Sequence, residues 1–170
     1  DGKTKGFYHK SYLLPFNEYF PLALRQLEFF KRHFHINNHN FRSAVSDLVL
    51  PLIKNFGHTT STSKKRYFGV AICSEEGYPL LLREEVKRGA NFFVILLNNK
   101  WFNSDAAMMM HTQNGIMAAA AFKRPVVRAT NSGLSCLIDQ YGRIISPPRN
   151  AMRLNQKAIF YFLIDLKHQM

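Results

Sequence analysis

Cysteine is scarce in this chain, and so is negative charge. Two cysteines, Cys73 and Cys136, allow one disulfide at most, which excludes a disulfide-built scaffold. Each sits among apolar residues at a strand-like position, so one buried thiol and one reactive thiol is the simplest division. Asp and Glu number 11 against 23 Lys and Arg, a net charge of +12. That balance suits an anionic partner or surface, either nucleic acid or lipid headgroups, or else a plain solvated basic surface. The basic residues are scattered, and Lys64-Lys65-Arg66 is the one tight run. No nucleic-acid motif accompanies them, and aromatics do not interleave with basic residues in a recognisable pattern. No apolar run reaches the roughly 20 residues that a membrane-spanning helix needs. The best, residues 92–97, is strand length. A signal peptide is missing too, since Asp-Gly-Lys-Thr-Lys leads into no apolar h-region. Without an initial Met, the chain reads as a piece of something longer.

What is present argues for one folded domain. The chain has 170 residues, 46% of them hydrophobic, and 15 are Phe. That is enough to bury a core and too little for a second domain. Residues 6–14 read as a strand leading into Pro15. Phe20, Leu24, Leu27, Phe30 and Phe34 follow helical spacing beside Arg25, Lys31 and Arg32. This amphipathic helix packs on the core or lies on a membrane surface. His33, His35 and His39 follow in an Asn-rich loop. No Cys, Asp or Glu lies nearby to complete a metal site, so no metal is expected. Residues 46–56 are a second apolar stretch, and residues 58–66 a loop.

The second half alternates more regularly. Residues 67–73 fit a buried strand. Residues 79–88 read as a helix, with Leu80 to Leu82 on one side and Glu84, Glu85, Lys87 and Arg88 on the other. Gly89 ends it. Residues 91–97 are a buried strand and residues 108–123 an Ala-rich helix. Strands at 125–129 and 133–139, a turn at 140–142 and a last strand at 158–166 complete the order. The mixture predicts an α/β fold with helices covering a sheet.

Cys73 stands where a buried strand opens into Ser74-Glu75-Glu76. Backbone N–H groups at such a place can hold an oxyanion. A thiol is only partly ionised at neutral pH and needs a base or a cation beside it. His9 and His111 are candidates, but neither has an evident orienting Asp or Asn. Lys10 is the stronger partner. An ammonium near the sulfur favours thiolate and neutralises a tetrahedral oxyanion. Spacing alone does not separate it from a surface lysine.

Several segments stand in a telling order: Tyr8-His9-Lys10, Pro15-Phe16-Asn17-Glu18-Tyr19-Phe20-Pro21 and Gly69-Val70-Ala71-Ile72-Cys73-Ser74-Glu75. Gly89-Ala90, Asn98-Asn99-Lys100-Trp101-Phe102 and Arg128-Ala129-Thr130-Asn131-Ser132-Gly133-Leu134-Ser135 follow. Together they resemble the carbon–nitrogen hydrolase (nitrilase) superfamily, and within it the branch of bacterial apolipoprotein N-acyltransferases. The Ala-Thr-Asn-Ser-Gly and Asn-x-Lys-Trp-Phe segments favour that branch. The resemblance implies a partial four-layer α-β-β-α sandwich with a Glu–Lys–Cys triad. Lys10 matches the family lysine and Cys73 the nucleophile. Glu18 matches a glutamate that helps to hold the lysine, and Glu75 the glutamate two residues after the cysteine. Ser74, Trp101 and Phe102 are candidate substrate contacts, the last two at an acyl entrance. No cofactor is implied.

Three departures stand out. The aromatic usual after the cysteine is Ser74, the usual Asn-Asp is Asn98-Asn99, and a helix that usually carries Arg and Glu reads Met117-Ala118-Ala119-Ala120-Ala121. The family's general-base glutamate lies upstream of the lysine, where this chain has Asp1 as its single acid. Residues 1–170 are therefore expected to be the C-terminal portion of one catalytic domain, without the base-bearing strand and the membrane helices that precede it. On its own the chain is expected to be inactive. The implied reaction takes an acyl chain from a phospholipid as a thioester on Cys73. It then passes the chain to the α-amino group of a lipid-modified apolipoprotein. The implied place is the periplasmic face of a bacterial inner membrane, against anionic headgroups and not nucleic acid. The alternatives are a soluble amidase or nitrilase using water as acceptor, and a non-enzymatic remnant or basic binding module.

Overall fold

The computed structural model describes residues 7–15, 18, 49–51, 67–100, 102, 104–146 and 164. Strands β2 (Tyr67–Ile72) and β3 (Phe92–Leu97) are the most continuously apolar segments of that set, as the inner strands of a sheet tend to be. They pair in parallel, and β3 pairs in parallel with β4 (Val126–Thr130). Strand β1 (Val49–Pro51) flanks β2 antiparallel. Strands β5 (Cys136–Ile138) and β6 (Ile144–Ser146) extend the other edge as an antiparallel meander. The described sheet is thus six-stranded, in the order β1-β2-β3-β4-β5-β6.

The parallel pairs require crossovers, and helices supply them. Helix α1 (Pro79–Lys87) joins β2 to β3, and α2 (Asp105–Phe122) joins β3 to β4. The helices touch each other as well as the sheet, so they share one of its faces. Ala71, Phe93, Ile95, Val126 and Ile138 from the strands meet Leu82, Ala118 and Ala119 from the helices in one core. This is the α/β arrangement expected. A 3-10 turn, Cys73–Gly77, leaves the end of β2. It sits at the C-terminal edge of the parallel strands, where open α/β sheets place their ligands.

Several expectations need correction. Residues 7–14 are not a strand. Side chains take their N–H groups instead: Glu75 Oε1 accepts from Ser11 and Tyr12, and Glu18 Oε2 from Leu14. In α1 the sides were misassigned at two positions. Glu85 is fully buried and Leu80 is 70% exposed, because Leu81, Leu82 and Glu85 share the inward face at helical spacing. Helix α2 begins at Asp105 rather than residue 108, with Ser104 as its N-cap accepting from the Ala107 N–H. Strand β5 is shorter than residues 133–139, and β6 was not anticipated. The amphipathic helix around Phe20 to Phe34, the histidines 33, 35 and 39, the loop at 58–66 and Trp101 lie outside the described residues. So does nearly all of the expected strand at 158–166. Among the described residues no helix is long and apolar enough to cross a membrane.

Candidate active site

β2 ends at Ile72, and Cys73 turns the chain sharply with φ 56. A residue with a side chain rarely adopts this left-handed conformation, and it costs about 1–3 kcal/mol where it occurs. A strained turn between strand and helix is a usual seat for a nucleophile, because it lifts the side chain clear of the sheet. Cys73 is partly exposed there, whereas Cys136 is buried in β5. Burial pushes the Cys136 thiol up to about 11. The division into one buried and one accessible thiol follows from these positions.

Glu75 is buried two residues beyond Cys73, and its carboxylate collects donors from two segments. Oε2 accepts from the Ile72 N–H at 2.8 Å, which braces the turn, and from the Tyr8 hydroxyl at 2.8 Å. Oε1 accepts from the N–H groups of Ser11 at 2.6 Å and Tyr12 at 2.8 Å. Tyr8 and Ser11 bracket Lys10, so one carboxylate fastens the Lys10 segment to the turn that carries Cys73. Burial first, and then the Glu75 charge, raises the Tyr8 phenol far above its ordinary value, so it remains a donor.

Lys10 is itself held by Glu18, whose oxygens lie 2.7 and 2.6 Å from Nζ. Glu18 Oε2 also accepts from the Leu14 N–H at 2.7 Å, so one carboxylate holds both Lys10 and the Leu14 backbone. Both side chains are mostly buried. The structure therefore joins Lys10 to Glu18, and Glu75 to both the Lys10 segment and the Cys73 turn. Ser74 is half-buried, and its Oγ has no hydrogen-bond partner among the described residues. Phe102 is exposed, with its ring against His111 at 5.3 Å.

A second buried cluster was not anticipated. Glu76 turns away from Glu75 and meets Arg128 of β4, with Nε to Oε2 and Nη2 to Oε1 both 3.1 Å. His111 of α2 lies with Nε2 3.3 Å from Glu76 Oε1 and Nδ1 3.0 Å from the Asn99 amide oxygen. So His111 does have an orienting Asn, contrary to the sequence reading. Burial lowers its ring to about 4, which leaves it neutral at pH 7 with one N–H. Given to Glu76, that N–H leaves Nδ1 an acceptor. Exchanging the amide atoms of Asn99 satisfies it and gives a partner to Asn99 Nδ2, which otherwise has none. The available signal was the second acid after Cys73 and an Arg inside an apolar strand.

The family model described as carbon-nitrogen hydrolase matches residues 1–166. The chain belongs to that family. Among its curated relatives is the apolipoprotein N-acyltransferase of Pasteurella multocida, 34% identical over 146 residues. That match covers 85% of this chain and 26% of the relative. The Haemophilus influenzae enzyme of the same name is 31% identical over 84% of this chain and 25% of its own length. The chain thus spans about a quarter of the length of the curated relatives it matches. Solved structures of the carbon-nitrogen hydrolase group are similar as well. The Helicobacter pylori carbon-nitrogen hydrolase aligns with TM-score 0.48 at 16% identity, covering 58% of this chain and 40% of that one. Saccharomyces cerevisiae Nit3, described as a member of branch 10 of the nitrilase superfamily, aligns with TM-score 0.42 at 21% identity, over 52% and 36%.

Proposed function

We propose that this chain carries the Cys73–Lys10 part of an apolipoprotein N-acyltransferase site. The observation that carries the reading is the Glu75 carboxylate, which binds the Lys10 segment and the Cys73 turn into one unit. The names of the curated relatives support the acyl-transfer branch over amide hydrolysis.

The steps follow from the parts. A general-base glutamate, which the family resemblance places upstream of Lys10, takes the thiol proton. The Cys73 sulfur attacks the ester carbonyl of a phospholipid acyl chain, and Lys10 with a backbone N–H after Cys73 holds the oxyanion. The intermediate collapses to a thioester, and the lysophospholipid oxygen leaves with the proton. The α-amino group of a lipid-modified N-terminal cysteine attacks the thioester, gives its proton to the glutamate and forms the amide as the thiolate leaves. A thiolate suits both steps, because it is a good nucleophile and a good leaving group. The acceptor arrives at the membrane surface, and the family resemblance implies the periplasmic side of it.

Intact-protein mass spectrometry with phospholipid tests this. The expected result is an acyl-sized mass increase on Cys73 that hydroxylamine removes and that a lipidated peptide amine discharges. These 170 residues alone should give no adduct, since their single acid upstream of Lys10 is Asp1. A full-length protein that hydrolyses small amides yet never acquires the adduct would point to the amidase reading instead.

A further inference from the structure

Cys73 keeps its left-handed backbone only if its surroundings over-determine it. A short 3-10 turn does not do that unaided. Glu75 braces the turn from one side through the Ile72 N–H. The opposite side is held by Glu76, which is almost completely buried. Arg128 grips its carboxylate with two hydrogen bonds of 3.1 Å. The same guanidinium donates through Nη1 to Thr112 Oγ1 on α2 and to the Leu134 carbonyl, each at 3.1 Å. His111 adds a ring nitrogen 3.3 Å from Glu76 Oε1.

The source of the counter-charge is the informative part. Helix α2 carries no acid after Asp105 in its first turn, although Arg128 packs against it. The guanidinium is instead neutralised by the turn that holds the candidate nucleophile. A buried ion pair is weak support for stability, since apolar groups of similar volume often serve as well. A bidentate pair does fix geometry, because planar fork and planar carboxylate must align.

We propose that Glu76 is a positioning residue: its buried pair with Arg128, tied to α2 through Thr112 and His111, holds Cys73 in its left-handed geometry. The inference rests on the reading of Cys73 as nucleophile.

The test is carried out on the intact protein. Cys73 is alkylated with iodoacetamide and followed by peptide mass spectrometry, with buried Cys136 as internal control. Hydrogen exchange of the amides at 74–77 is compared with that of β3. Glu76→Gln keeps the shape and removes the charge. The paired variant Glu76→Met with Arg128→Met leaves no unpaired charge, and covers the case in which the single variant fails to fold. Both should keep β3 protected, lose protection at 74–77, and alkylate Cys73 about tenfold more slowly, the scale set by the strain of a left-handed residue. A folded variant with wild-type exchange at 74–77 and wild-type alkylation overturns the proposal. Loss of β3 protection in both variants also overturns it, because the pair is then a general stabiliser of the sheet. If wild-type Cys73 reacts no faster than a cysteine in an unstructured peptide, the nucleophile reading fails, and exchange at 74–77 still judges the positioning role.

Discussion

Glu85 brings a carboxyl into the core with a single hydrogen bond, from the Val70 N–H to Oε1 at 3.0 Å. Its Oε2 has no partner among the described residues and lies so close over Gly69 that a Cβ there would overlap it. Burial, reinforced by the Glu75 charge, pushes the carboxyl up to about 9, partly offset by the Val70 N–H. Tyr8 is the other titratable group facing it, and stays neutral. The native carboxyl therefore holds a proton that the unfolded chain releases near pH 4.5. Its contribution is fully present below that pH and is lost as pH rises toward 9, by roughly 1 kcal/mol per unit. Urea denaturation at pH 5 and pH 8 measures this. Glu85→Gln should gain about 3–4 kcal/mol on the wild type between those conditions, other titrating groups cancelling in the difference. An interval unchanged by the substitution would show that Glu85 is ionised in the native protein. At this scale the sequence was uneven. The Lys10–Glu18 contact and the place of Glu75 beside the Cys73 turn were legible because those residues stand in a known register. Glu76, Arg128 and His111 were not, since a contact spanning 52 positions leaves no local pattern. Glu85 was misjudged because its charge outweighed its spacing.

Elements were easier to read than residues, and the failures are physical. β2, α1, β3 and β4 came within a residue or so of their bounds, because long apolar runs broken by Pro and Gly have few other solutions. Residues 7–14 had strand composition, yet carboxylates claimed the N–H groups that a ladder would need. β6 is only three residues long and follows a turn in which Asp139 accepts from the Tyr141 and Arg143 N–H groups, both at 2.9 Å. The end of α2 offers a prediction at this scale. Lys123 closes the helix at φ 52, a position that favours glycine. Lys123→Gly should stabilise the protein by about 0.5–1 kcal/mol, read as a shift of the urea midpoint at unchanged slope. A destabilised variant would mean that the Lys123 side chain contributes more than its backbone strain costs.

For the whole molecule, charge is the property that no single element owns. A net +12 spread along the chain suits broad contact with an anionic surface more than a groove for a specific polymer. Sedimentation with vesicles is the check. Binding should rise with the fraction of anionic lipid and fall steeply between about 50 and 200 mM salt, as Debye screening requires. Tighter binding to duplex DNA than to such vesicles would overturn the proposed membrane partner. Neither the sheet order nor the face chosen by the helices was written in the charge pattern. Both follow from the parallel pairing of β2, β3 and β4 and the handedness of its crossovers.

The Glu75 carboxylate is shared property, with two donors from residues 11 and 12, one from Tyr8 and one from Ile72. If the first segment peels away, a buried anion keeps one of its four bonds and must draw in water or a proton. Detachment of the segment therefore costs three of these bonds at once, and Glu75 couples its seating to the Cys73 turn. Lys10 leaves with that segment, while the Ile72 bond stays with the Cys73 turn.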